Sequence, residues 1–143
     1  MLERKARHVA HPGESARASE ARRVLVVDAD PDVRAALCLV LSRERCLCVV
    51  GQAADLEEFL ASAALLQPDL VLLDWELAGL QDGATLRQVR ATCPHTAFVA
   101  LSVRPERRRD ALAVGIDLFV SKMDPPGRLL AAVRAAVASP RRS

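Results

Sequence analysis

The chain of 143 residues contains four short apolar runs, and a polar residue that could carry chemistry lies at the end of each of them. The runs and the residues after them are 24–27 with Asp28, 70–73 with Asp74, 97–101 with Ser102, and 118–120, extended by Ser121, with Lys122. Such runs are typical of parallel strands buried on both faces of a sheet. Ligands bind where the carboxyl ends of these strands gather, so the four side chains are predicted to share one cleft. Two carboxylates, a hydroxyl and an ammonium suit a divalent cation and a phosphoryl group.

Segments with the apolar spacing of amphipathic helices separate the predicted strands. The predicted strands span 23–28, 47–51, 69–74, 96–101 and 117–121, and the predicted helices span 31–43, 56–67, 83–92, 105–114 and 125–138. Asp30, Asp55 and Asp124 stand where the first, second and fifth helices need an N-cap. The alternation predicts an α/β fold, a doubly wound five-stranded parallel sheet with helices on both faces.

Composition limits the class of protein. Hydrophobic residues make up 51% of the chain, which is too many for a disordered polymer. No apolar run is long enough to span a membrane or to form a signal peptide, so a cytoplasmic protein is expected. We predict a flexible tail over 1–22, one domain over 23–138 and a short tail over 139–143. The net charge of +2 comes from the tails, which argues against a nucleic-acid surface on the domain.

The four cysteines, Cys38, Cys46, Cys48 and Cys93, are irregularly spaced. Cys46 and Cys48 are two residues apart, but no neighbouring histidine or second cysteine pair completes a zinc-binding pattern with them. The sequence therefore predicts buried free thiols.

The polar strand ends resemble those of the receiver domain of two-component response regulators, which are CheY-like proteins, over about 23–138. The resemblance implies a strand order of 2-1-3-4-5 and a set of site residues. Asp28 matches an acidic metal ligand, Asp74 the phosphoacceptor, Ser102 the hydroxyl residue, Lys122 the lysine and Phe119 the aromatic switch residue, and the backbone carbonyl of Glu76 matches the third metal ligand.

By this resemblance, the chain is a stand-alone receiver that takes a phosphoryl group onto Asp74 from a histidine kinase or a phosphotransfer protein. Mg²⁺ is the implied cofactor, and Ser102 and Phe119 form the implied switch. A downstream protein would bind the face formed by helix four, strand five and helix five. The resemblance implies no enzyme beyond assisted self-phosphorylation and slow self-dephosphorylation. It implies no DNA-binding domain and no membrane attachment, and it allows a homodimer.

The sequence departs from the family pattern close to the site. Ala29 stands where the family has a second acid, so weak Mg²⁺ binding is expected. Asp30 is interpreted as a helix cap rather than a replacement ligand. Met123 replaces a proline after the lysine, and the bulky Trp75 is expected to shield the acceptor.

Two other functions fit parts of the sequence. Ala29 favours a pseudo-receiver that binds partners without phosphorylation. The order Asp28-Ala29-Asp30 also resembles the Asp-x-Asp of haloacid-dehalogenase phosphatases, but the acidic motif required after the lysine is missing. The arginines of helix four, at 104 and 107–109, form either a solvated face or a docking site for an acidic partner.

Overall fold

The computed structural model describes residues 21–138 and contains a five-stranded parallel sheet in the order β2-β1-β3-β4-β5. The strands are β1 (Arg22–Val27), β2 (Leu47–Ala53), β3 (Leu70–Asp74), β4 (Ala97–Ser102) and β5 (Leu118–Ser121). The α-helices are α1 (Pro31–Ser42), α2 (Leu56–Leu66), α3 (Ala84–Thr92), α4 (Arg108–Ala113) and α5 (Pro126–Ala138). The predicted fold class and strand order are confirmed.

Most predicted boundaries differ from the observed ones by one residue, and three of the differences have a local reason. Strand β2 continues to Ala53 because its last residues pair with β1. Gly83 caps α3 with a φ of 82°, so this helix begins at Ala84 rather than at 83. The predicted fourth helix is divided into a 3₁₀ turn, Pro105–Arg107, and the six-residue α4.

The core consists of two apolar layers, one on each face of the sheet. Side chains alternate along a strand, so Leu25 and Val27 enter one layer while Val24 and Val26 enter the other. Phe59 of α2 packs in the first layer, and helices α1 and α5 cover the second layer. Burial on both faces is the physical reason that the central strands are continuously apolar.

The topology places the candidate site at the carboxyl edge of the sheet. The chain leaves β1 for β2 on one side and returns to β3 on the other, which makes a switch point between β1 and β3. Asp28 follows β1 and Asp74 ends β3, so both acids stand at this switch point. Ser102 ends β4, and its carbonyl accepts a hydrogen bond of 2.8 Å from the Lys122 N–H.

Two predicted helix caps are present. The Asp30 carboxylate accepts the N–H of Asp32 at 2.9 Å and caps α1. The Asp55 carboxylate accepts the N–H of Glu58, whose own carboxylate accepts the N–H of Ala54 at 2.7 Å. These bonds satisfy amides that a helix start leaves without partners.

The cysteine prediction is partly wrong. All four thiols are free, but Cys46 and Cys48 are exposed and Cys38 is half-buried, which leaves Cys93 as the buried one. Cys48 is exposed because β2 is an edge strand with one face open to solvent, Cys46 lies in the turn before β2, and Cys38 lies on α1. No helix within residues 21–138 has the length and apolar character needed to cross a membrane. The predicted tails lie outside the described residues, apart from Ala21 and Arg22, and Arg22 begins β1.

Candidate functional site

The ammonium group of Lys122 joins the two acids at the carboxyl edge of the sheet. Its Nζ lies 3.0 Å from Oδ2 of Asp28 and 3.4 Å from Oδ1 of Asp74. The lysine side chain is 20% exposed and the Asp28 side chain 2%, so water screens this contact weakly. The structure therefore brings three of the predicted site residues together from the ends of β1, β3 and β5.

Asp28 is fixed from several directions. Its Oδ1 accepts the N–H of Asp30 at 2.9 Å, and its backbone carbonyl accepts a hydrogen bond from the Arg34 guanidinium at 2.6 Å. Its own N–H donates to the Ala53 carbonyl and so extends the pairing of β1 with β2. These contacts fix the position of the Asp28 carboxylate before any ligand binds.

Asp74 has one engaged oxygen and one open oxygen. Oδ1 accepts the N–H of Glu76 at 3.0 Å and pairs with Lys122. Within residues 21–138, no donor makes a hydrogen bond to Oδ2. Burial raises the pKa of Asp74, and the Glu76 amide and the Lys122 charge offset only part of that rise. A carboxylate oxygen that accepts no hydrogen bond and is poorly solvated is suited to react with or bind an incoming electrophile.

Lys122 keeps its positive charge in this cluster. Burial alone lowers its pKa, but the hydrogen bond to Asp28 and the charge of Asp74 outweigh burial, and the net pKa is raised. The site therefore holds a fixed cation beside the open oxygen of Asp74.

Ser102 lies in the cleft but does not face Asp74 with a hydrogen bond. It is fully buried, and its hydroxyl donates to a carboxylate oxygen of Glu76. The same hydroxyl oxygen accepts the N–H of Arg104 at 2.9 Å. A hydroxyl has one hydrogen to donate, so in this structure that hydrogen is committed to Glu76.

Sequence reasoning missed the Glu76 side chain. The resemblance assigned its backbone carbonyl to the metal, whereas its carboxylate contacts Ser102 and also lies 3.9 Å from the Arg107 guanidinium. Ser102 is 26 residues away along the chain. No sequence pattern reports a pairing between a loop side chain and a side chain at the end of another strand, so there was no signal for it.

Phe119 is already buried in this structure, with 8% of its surface exposed. It packs in the first core layer and also lines a groove of about 380 Å³ between α4, β5 and α5. Arg108 and Arg128 line the same groove from the two helices. The predicted switch residue thus connects the core to the predicted partner face, and its switching role stays a prediction.

Trp75 does not cover the acceptor, so the expected shielding is wrong. Successive strand residues point to opposite sides, and Trp75 turns away from Asp74 into the first core layer. It is fully buried, and its N–H extends the β3 ladder to the Leu101 carbonyl at 2.7 Å.

The acids available to a metal are few. Over residues 21–138, no group of three or more His, Cys, Asp or Glu side chains is placed to bind one metal. Asp30 is used as the α1 cap, and Ala29 offers no oxygen from its side chain. Mg²⁺ is often held by one or two carboxylates and several waters, so Asp28 and Asp74 fit it.

A family model described as the response regulator receiver domain matches residues 24–134 of this chain. The response regulator domain of Thermotoga maritima CheB superposes with a TM-score of 0.73 at 26% identity, covering 83% of this chain and 98% of that chain.

Two curated proteins show the same likeness in sequence. Protein-glutamate methylesterase/protein-glutamine glutaminase 1 of Geobacter sulfurreducens is 34% identical over 103 residues, 70% of this chain and 28% of that protein. The nitrate/nitrite response regulator protein NarL of Escherichia coli is 32% identical over 117 residues, 80% of this chain and 54% of that protein. The chain thus spans about half or less of the length of these relatives.

Proposed function

Because this chain belongs to the response regulator receiver family of two-component signalling, we propose that it accepts a phosphoryl group on Asp74 from a histidine kinase or phosphotransfer protein. Receiver domains interact with such donors in general, and they are generally not enzymes. The observation that carries the proposal is the open Oδ2 of Asp74 beside the Lys122 ammonium.

The chemistry of the site agrees with phosphoryl transfer. An Asp74 oxygen would form the bond to phosphorus while the bond from phosphorus to the donor's histidine nitrogen breaks. The transferred group spreads negative charge over its oxygens, and fixed cations stabilise that charge. Lys122 is already in place as such a cation, and its raised pKa keeps it protonated.

Receiver domains generally bind Mg²⁺ at the phosphorylation site. In this chain Asp28, Asp74 and the Glu76 backbone carbonyl would hold it. The metal supplies charge neutralisation between the acids and the phosphoryl oxygens. With Ala29 in place of a second acid, we propose that the metal binds more weakly than it would to three carboxylates.

Direct phosphorylation tests the proposal. The protein is incubated with Mg²⁺ and a small acyl-phosphate donor, and its intact mass is followed. We expect the addition of one phosphoryl group that hydroxylamine removes, as it does from acyl phosphates. Asp74→Asn should abolish the addition, while Asp32→Asn, which removes an exposed acid on α1, should not. A modification that persists in Asp74→Asn would overturn the assignment.

We propose that the signal leaves through the groove between α4, β5 and α5, which accepts an acidic segment of a partner protein. Two exposed arginines, Arg108 and Arg128, line this groove together with one acid, Asp124. Exposed arginines at 104 and 109 stand next to the lining residues Pro105 and Arg108 in the chain and add positive charge. Charge complementarity of this kind acts mainly on the association rate. Arg108→Glu should slow association with the partner and weaken its salt dependence, whereas Arg45→Glu, on the opposite edge of the sheet, should not. Equal rates for both variants would contradict an acidic partner.

A phosphorylation-independent adaptor is the second candidate, and Ala29 in place of the family's second acid favours it. The two functions differ in their response to Asp74→Asn. An adaptor keeps its partner binding in this variant, while a phosphorylated receiver loses signalling.

The stand-alone arrangement and the homodimer stay predictions. The mass of the native protein in its source cells tests the first, because the matched relatives are longer than this chain. Light scattering with and without a phosphoryl mimic tests the second.

A further inference from the structure

The carboxylate of Glu76 links the acceptor loop to the start of α4. Its backbone N–H is bound to Asp74, but its side chain points elsewhere. One carboxylate oxygen accepts the Ser102 hydroxyl, and the other lies 3.9 Å from Nη2 of Arg107. Arg107 ends the 3₁₀ turn that leads directly into α4. A continuous path of three side chains therefore joins Ser102 to the proposed partner face.

Glu76 and a phosphoryl group compete for the same hydrogen. The Ser102 hydroxyl carries one donor hydrogen, which it gives to Glu76 in this structure. The alternative acceptor, the Arg104 carbonyl, lies 3.4 Å away and is the weaker partner. For Ser102 to donate to a phosphoryl group on Asp74, its bond to Glu76 must break.

Charge favours the same displacement. A phosphoryl group brings more negative charge than the carboxylate that it modifies, and it arrives next to the Glu76 carboxylate. The two like charges repel, and the Arg107 guanidinium lies close enough to pair with the Glu76 carboxylate once that carboxylate leaves Ser102. The Glu76 and Arg107 side chains are about 30% exposed, so they have room to move.

We propose that Glu76 is a positioning residue that withholds the Ser102 hydroxyl from Asp74 and, when displaced, moves onto Arg107 and so shifts the start of α4. This inference rests on the proposed acceptance of a phosphoryl group by Asp74. The hydrogen bond between Glu76 and Ser102 makes phosphoryl binding weaker than the rest of the site would allow, because binding must first break this charge-assisted bond.

The first test compares the affinity of the phosphoryl mimic beryllofluoride, in the presence of Mg²⁺, for the full chain and for Glu76→Gln. Calorimetry provides the affinity. Glutamine has the same shape but makes a neutral hydrogen bond and does not repel the mimic. We expect beryllofluoride to bind roughly tenfold more tightly, the difference between a charge-assisted and a neutral hydrogen bond. Glu106→Gln makes the same charge change on the neighbouring turn and should leave the affinity unchanged.

The second test asks whether Glu76 acts through Ser102 and Arg107. In a Ser102→Ala background, Glu76→Gln should lose most of its effect, since no hydroxyl is left to release. Arg107→Gln should weaken beryllofluoride binding when Glu76 is present and have little effect in Glu76→Gln. A purely structural role for Glu76 predicts no such dependence on either partner.

The outcomes separate the two proposals. Saturable binding that is equal in the unmodified protein and in Glu76→Gln overturns this inference and leaves phosphoryl acceptance intact. Tighter binding that is the same with and without the Ser102 hydroxyl also overturns it, because charge alone then explains the effect. Absence of binding in both proteins overturns phosphoryl acceptance and this inference with it. Binding by Glu76→Gln alone supports both.

Discussion

At the scale of single residues, the site is a balance between burial and charge around Asp74. Burial raises the pKa of this carboxyl, while the Glu76 amide and Lys122 favour its ionised form. The side chain is only 11% exposed, so water relieves little of the cost of ionisation. The protein thus keeps a poorly stabilised carboxylate at its switch point, as reactive sites often do.

Asp74→Asn should make the unmodified fold more stable at neutral pH. Because the folded-state pKa is raised, the native state binds more protons than the unfolded state between the ordinary pKa of aspartate and the raised value. Stability contributed by this carboxyl therefore falls as the pH rises through that window and stays low above it. Thermal unfolding at several pH values should show a higher Tm for Asp74→Asn at pH 7 and a smaller difference at low pH. A lower Tm at pH 7 would mean that the Lys122 ion pair outweighs burial.

Ala29→Asp should strengthen Mg²⁺ binding. The residue follows Asp28 directly and is exposed, so a carboxylate here adds negative charge at the site without entering the core. More carboxylate ligands raise the affinity for a hard cation, and an increase on the order of tenfold is expected. Calorimetric titration with Mg²⁺ measures it, and Ala29→Asn controls for side-chain size without charge. An unchanged affinity would show that Ala29 is not what limits metal binding.

At the scale of elements, the start of α1 separates the roles of Asp28 and Asp30. Asp28 and Asp30 are two residues apart, yet one faces Lys122 and the other caps α1. The cap bonds to the amides of Asp32 and Val33 turn the Asp30 carboxylate onto the helix. This orientation supports the prediction that Asp30 does not replace the acid missing at position 29.

Asp30→Ala should lower the free energy of unfolding by about 1 kcal/mol, the usual cost of a lost N-cap. Asp30→Asn keeps a capping oxygen and should remain close to the unmodified protein. Denaturant titration measures both, and Mg²⁺ affinity should change little in Asp30→Asn. A large loss of Mg²⁺ affinity in Asp30→Asn would show instead that Asp30 is a metal ligand.

At the scale of the whole molecule, the fold was predictable because the sheet is buried on both faces. The apolar runs of β1, β3, β4 and β5 leave little choice of structure, and the polar residue after each run marks the carboxyl edge. The apolar pattern of β2 was weaker. This edge strand exposes Cys48 and Gln52, so it is not continuously apolar.

The residues that form the site were more predictable than the directions in which their side chains point. The polar residues at the strand ends, together with the family resemblance, placed Lys122 near Asp28 and Asp74. The direction of the Ser102 hydroxyl could not be predicted, because it depends on the side chain of Glu76, which lies on the loop after β3. The inward orientation of Trp75 follows from strand alternation, although its size beside the acceptor pointed to shielding.

The central claim is that Asp74 binds a phosphoryl group with Mg²⁺ despite Ala29. The chain has one tryptophan, Trp75, which is fully buried directly after Asp74. The most direct measurement is Trp75 fluorescence during titration with Mg²⁺ and then beryllofluoride, with Asp74→Asn as the control. We predict a saturable change that is absent from Asp74→Asn. No change up to millimolar Mg²⁺, with no phosphoryl addition from an acyl-phosphate donor, would contradict the account and favour the adaptor.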